Sequence, residues 1–228
     1  MIHRTTGHWP IALVSVTVFL MGGWTMYLEA APNLRGGTTA ISRLSAMPNG
    51  EAPIGLTVLS QHRALLDCEE LFRSVRAIEM QYLSPAEREQ LVAICGEMAD
   101  VTLAKSPVDS FAWLIRAGAS AAQGDNSGFN AALQNSQSSG PNEGWLANMR
   151  VEAGEANLAS LSEETFTGHE RDMQVAASIH TYASGMARRY VSDEGFRIRM
   201  TKVLEIMRPQ EQRRFLSAIR AALTKSGR

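Results

Sequence analysis

The sequence predicts an all-α protein in which an N-terminal transmembrane helix is followed by a helical body. Three observations carry this prediction. From Trp9 to Leu28, twenty residues pass without a formal charge. From Leu56 onward, apolar residues recur three or four positions apart and no segment shows strand alternation. Between these periodic stretches, Ser, Asp, Pro and Gly stand where they cap, start or stop helices.

The chain has 228 residues, of which 45% are hydrophobic and 20% charged, and its formal net charge is −1. That composition excludes a disordered charged tail, a collagen-like repeat and a multi-span membrane protein. A near-zero balance also lacks the excess base that announces a polyanion binder, until the charge is divided along the chain.

Residues 9–28 are read as a signal anchor. Twenty helical residues reach about 30 Å, one hydrocarbon thickness, and Trp9, Trp24 and Tyr27 stand near the two ends, where amphipathic rings favour the interface. A cleavable signal would use Leu28-Glu29-Ala30 as its cut site, but the apolar stretch exceeds the usual signal-peptide core. Arg4 on one side and Arg35 and Arg43 on the other leave the positive-inside count near a tie. The body is placed in the periplasm because the segment stands at the chain start like an export signal. The expected organisation is then an N-terminal flank over 1–8, the anchor over 9–28, a linker over 29–55 and a helical domain over 56–228. Pro32, Gly36-Gly37, Pro48-Asn49-Gly50 and Pro53 mark the linker.

Each element of the body has a local chemical cause. Leu65, Leu66, Leu71, Phe72, Val75, Ile78 and Leu83 give a long first helix. Ser84-Pro85-Ala86-Glu87 is a capping box with proline at the first helical position, and Leu91, Val92, Ile94, Cys95, Met98 and Val101 form the apolar side of the helix it starts. Ser106-Pro107-Val108-Asp109 repeats that start, and Gly124-Asp125 ends the helix after Gln123. A shorter helix spans about 128–137 and another about 143–161. Ser162-Glu163-Glu164 caps the next, which extends toward Tyr190 with a break at Gly168. Ser192-Asp193-Glu194 opens a seventh, and Pro209 opens the last, with Phe215, Leu216, Ile219 and Leu223 inward. Cys68 and Cys95 fall on consecutive helices, so a disulfide between them and two separately buried thiols both fit.

Pro107 and Pro141 are 34 positions apart, and between them stand Trp113, the Gly124-Asp125 turn and the Ala131-Ala132-Leu133 patch. On these residues the segment 107–141 resembles a tetratricopeptide repeat, whose helix pairs have that period. Arg116 stands where the family prefers leucine, and Trp145 comes 32 positions after Trp113. The resemblance implies a tetratricopeptide-like α-solenoid, with an ordinary helical bundle as the other reading. A lone unit cannot bury its own faces, so neighbouring helix pairs must complete the stack.

No catalytic signature accompanies this architecture. His169-Glu170-Arg171-Asp172-Met173 begins like a zinc-protease motif, but Met173 replaces the second histidine. His169 and His180 are about 16 Å apart along a helix, too far to share one metal ion. Glu163 and Glu164 come directly after Ser162 and suit capping and the helix dipole better than glycoside cleavage. The sequence contains no nucleophile elbow, phosphate loop, dinucleotide fingerprint or Cys-x-x-Cys. No cofactor, metal or enzymatic activity is expected.

Charge divides unevenly. Residues 51–187 carry 8 basic and 18 acidic side chains, whereas 188–228 carry 11 basic against 4 acidic. A basic end beside an acidic body docks onto it, is a solvated face, or attracts an anionic polymer, an acidic partner or anionic lipid. Trp113, Trp145, Arg213, Arg214 and Arg220 are the partner-binding candidates, although both tryptophans also fit helix packing. The expected function is a single-pass inner-membrane scaffold for protein partners in the bacterial cell envelope, accessory to surface-polysaccharide production or export. The alternatives are a periplasmic module that binds an acidic glycan and an uncatalogued hydrolase. No nucleic acid partner is expected outside the cytoplasm.

Overall fold

The structure, a computed structural model, describes residues 9–31, 34, 36–47, 54–73 and 81–226, and all regular secondary structure among them is helical. The flank 1–8, Pro32, Arg35, Pro48-Asn49-Gly50, Pro53, Val75, Ile78 and Arg228 lie outside the described residues. The contacts group into two compact units, Met1–Met98 and Ala99–Arg228.

The first unit opens with α1 (Trp9–Ala30), in which no residue is buried. Just after its apolar run, the Glu29 carboxylate accepts the backbone N–H groups of Leu56 (2.9 Å) and Thr57 (3.2 Å) and the Thr57 hydroxyl. Glu29 thus satisfies donors at the start of α3 (Val58–Arg73). Within the stretch read as linker, a short helix α2 (Ala40–Ser45) forms under a Thr39–Ser42 capping box and buries Ala40 and Leu44. The α2 and α3 helices pack together, and the Arg43 guanidinium donates to both Asp67 carboxylate oxygens, through Nε at 3.0 Å to each and through Nη2 to Oδ1 at 2.6 Å. α4 (Pro85–Lys105) starts as the box predicts: Ser84 donates its N–H to Glu87 Oε2 (2.7 Å), and Glu87 returns its own to Ser84 Oγ (3.3 Å).

The second unit is built on helix pairs. α5 (Ser110–Ala122) is capped by Asp109, whose carboxylate accepts the Ala112 N–H at 2.9 Å, so it begins later than the Ser106-Pro107 start suggested. Gly124 takes φ +76, a left-handed value that glycine adopts without strain, and turns the chain into α6 (Asn126–Ser139). α7 (Gly144–Ala156) and α8 (Glu163–Ser178) form the next pair, joined through a 3₁₀ turn at Leu158–Ser160, with Ser162 capping α8. α5 packs on α6 and α7 on α8, while α5 also meets α7 and α6 meets α8. Within this all-α bundle, that packing is suggestive of a solenoid step. From the start of α5 at Ser110 to the start of α7 at Gly144 is 34 positions, the spacing of Pro107 and Pro141.

The remaining helices are α9 (His180–Ser192), α10 (Glu194–Ile206) and α11 (Pro209–Ser226). The break in the long segment falls at Ile179, in an extended conformation, rather than at Gly168. Gly168 lies inside α8 because the Gln137 amide crosses there: a Cβ would come within 2.1 Å of Gln137 Oε1. Met173, Met186, Phe196, Met200 and Phe215 form the core between α8 and these last helices. Leu216 and Leu223, read as inward, are 47% and 52% exposed.

Candidate functional site

The phase of α7 and α8 places charge inside the second unit. On α7 the buried positions are Leu146, Ala147, Arg150, Val151, Gly154 and Glu155, one face of a 3.6-residue period. On α8 they are Thr165, His169, Asp172, Met173, Ala176 and Ala177. An arginine, two carboxylates and a histidine of these two helices are therefore buried where apolar residues are usual.

Arg150 is fully buried. Its Nε donates to Asp172 Oδ1 (2.9 Å) and Oδ2 (3.0 Å), and its Nη2 to Asp172 Oδ1 (2.6 Å) and the Gly140 carbonyl (3.1 Å). Nη1 donates to the Ser136 carbonyl (3.2 Å) and the Ser110 hydroxyl (3.3 Å). One side chain thus ties α5, α6, α7 and α8 together. Burial pushes the Asp172 carboxyl above its ordinary range, against the bonds from Arg150 and Gln137.

A second cluster adjoins it. Glu155 Oε1 lies 2.9 Å from His169 Nε2, and the same carboxylate receives Arg199 Nη2 (2.5 Å) and Arg189 Nη2 (3.1 Å). His169 Nδ1 is buried with no hydrogen-bond partner among the described residues, and it lies against Gly154, where a Cβ would stand 2.6 Å away. Arg189 also caps the Phe196 ring at 4.9 Å. The Glu155 carboxyl feels burial, which raises it, but the His169 and Arg199 bonds outweigh this and hold it below its ordinary value. Because the folded value is the lower one, ionised Glu155 stabilises the fold fully above the unfolded value near 4.5, and that contribution is lost as pH falls through the folded value. The stability gap between the native chain and Glu155→Gln, measured by urea denaturation, should therefore shrink below about pH 4. A gap that stays constant down to about pH 3 counts against this coupling.

These bonds sort the basic end. Arg189 and Arg199 join α9 and α10 to α7, Arg189 also reaches Asp193 (3.2 Å), Arg197 reaches Glu194 (3.7 Å), and Arg208 pairs with Glu211. Arg188, Lys202, Arg213, Arg214 and Arg220 are exposed and form no ion pair with another described residue. Arg213, Arg214 and Arg220 lie together on α11, whereas the tryptophans lie on α5 and α7.

Trp113 is half-buried and donates Nε1–H to the Pro107 carbonyl at 2.8 Å, clamping the loop before α5. Trp145 is half-buried with its ring 5.3 Å from that of Phe111. Arg116, at the leucine position of the repeat, pairs with Asp100 (3.0 Å) and donates to the Ser120 hydroxyl (3.0 Å). Cys68 and Cys95 are bonded to each other, with Cα atoms 5.5 Å apart. Among the described residues no group of three or more His, Cys, Asp or Glu is arranged to hold a metal ion.

Sequence reasoning missed Arg150, Glu155 and the buried role of His169. The signal was present: Arg150 and Glu155 stand in phase with Leu146, Ala147 and Val151 on the helix face that must go inward. No family model, no curated protein and no solved structure shows significant similarity to this chain.

Proposed function

We propose that this protein is a membrane-anchored helical scaffold of the bacterial cell envelope, with α1 as a single-pass inner-membrane anchor and the helical body in the periplasm. Its work is recognition of protein partners rather than catalysis, through tetratricopeptide-like helix pairs α5–α6 and α7–α8. The finer reading is an accessory role in surface-polysaccharide production or export. The observation that carries the proposal is α1 itself: 22 residues, long and apolar enough to cross a membrane, with none of its apolar window buried in the fold. A core helix would cover one face, and leaving such a surface in water is costly. The helix-pair contacts with their 34-position step support the recognition half.

Two measurements test it. A phosphatase fused after the last residue should be active, and the intact mass of the membrane-fraction protein should include residues 9–28; an inactive fusion overturns the periplasmic body, and a chain cut near Ala30 overturns the anchor. Cross-linking in intact cells should then retain a defined envelope protein, with recovery falling when Ala131 and Asn135, exposed one turn apart on α6, are both changed to arginine. Unchanged recovery in that variant removes the α6 face from the binding surface.

A further inference from the structure

Three of the exposed arginines, Arg213, Arg214 and Arg220, lie on α11. Phe215 and Ala222 are buried and define its inward side, together with Glu211, the only acid of the helix, which is turned in and paired with Arg208. Arg213 and Arg220 are seven positions apart, and so are Leu216 and Leu223. At 3.6 residues per turn these two pairs run as adjacent strips on the outward side. Leu216 is 47% and Leu223 52% exposed beside the exposed arginines. On α10, Ile198 (56% exposed), Lys202 and Ile206 (73% exposed) repeat the composition at four-residue steps.

Apolar side chains bordered by long cations make up an interfacial helix: the leucines enter the headgroup boundary while the guanidinium groups reach the phosphates. A soluble polyanion would satisfy the arginines and leave the leucines in water. An anionic lipid surface satisfies both. We propose that the outward strip of α11, formed by Arg213, Leu216, Arg220 and Leu223, is a second membrane contact that lays the carboxy-terminal helices on anionic lipid headgroups. This rests on the reading of α1 as an anchor, which brings a bilayer into reach of the tethered body. Tethering makes docking intramolecular, with an effective concentration on the order of millimolar. Each arginine near an anionic surface adds about fivefold in partitioning, so a contact too weak to recruit a free protein suffices here.

The test uses the full chain in nanodiscs of phosphatidylcholine with or without phosphatidylglycerol, and monitors tryptic cleavage after Arg213, Arg214 and Arg220 against cleavage after Arg171, which is exposed on α8. Cleavage on α11 should slow about tenfold in the anionic discs relative to Arg171. About 1 M salt, where the screening length is about 3 Å, should remove the protection, and so should the double variant Arg213→Glu, Arg220→Glu, read at Arg214, the tryptic site of the three that it keeps, with its helical circular dichroism unchanged. Equal cleavage in both lipids from a chain that stays in the disc overturns the lipid contact and leaves the anchor standing. A chain that is not retained in the disc overturns the anchor and the contact together. Protection in phosphatidylcholine discs on adding an acidic polysaccharide, without protection by phosphatidylglycerol, overturns the lipid assignment in favour of a glycan.

Discussion

Arg150→Met is expected to lower the stability of the Ala99–Arg228 unit by about 3–5 kcal/mol, the usual cost of removing one partner from a buried ion pair. Arg150 and Asp172 have side chains 0% and 4% exposed, so the carboxylate left behind has no route to bulk water. The carbonyls of Ser136 and Gly140 also lose a donor. Urea denaturation monitored by circular dichroism measures the loss. The double variant Arg150→Met, Asp172→Leu should recover a large part of it, since no buried charge is then unpaired. A single variant within about 1 kcal/mol of the native chain would sink the assignment of Arg150 as the tie between α5, α6, α7 and α8.

Replacing Cys68 and Cys95 together by alanine is expected to cost the first unit about 3–4 kcal/mol, because the bond closes a loop with a sequence separation of 27 and restricts the unfolded chain accordingly. Both cysteines are fully buried, so alanine adds a small loss of packing. Thermal unfolding with and without the bond measures the loss. The same pair tests location: disulfides persist in oxidising compartments. Protein taken from cells under thiol-blocking conditions should carry no blocked cysteine, and two blocked thiols would count against the periplasmic body.

Much of the helix pattern was legible because its determinants are local. Ser84 and Glu87 specify a helix start within four residues, Asp125 and Ser162 cap the helices after them, and Gly124 supplies the one conformation that lets α5 turn into α6. Such signals need no partner from elsewhere in the chain. Gly168 misled for the opposite reason. Its lack of a side chain makes room for Gln137, a residue of another helix, and no local rule separates that from a break. Trp113 and Trp145 were legible as bulky residues at repeat-like spacing, but the Pro107 carbonyl and the Phe111 ring that hold them were not. The α2 helix was also missed, since six residues carry too little periodicity to register.

Local residue patterns specify the all-helical class, the uncharged span at 9–28, most helix starts and the split between an acidic body and a basic end. Which charges stay available depends on how the helices pack. Glu155 takes Arg199 from 44 positions away and Arg150 takes Asp172 from 22, so part of the apparent basic patch holds the fold together. What remains outward is the strip on α11 with its two leucines. Caps and periods act within one or two turns, and the sequence displays them directly. Burial of a charge depends on a counter-charge that only folding brings to it.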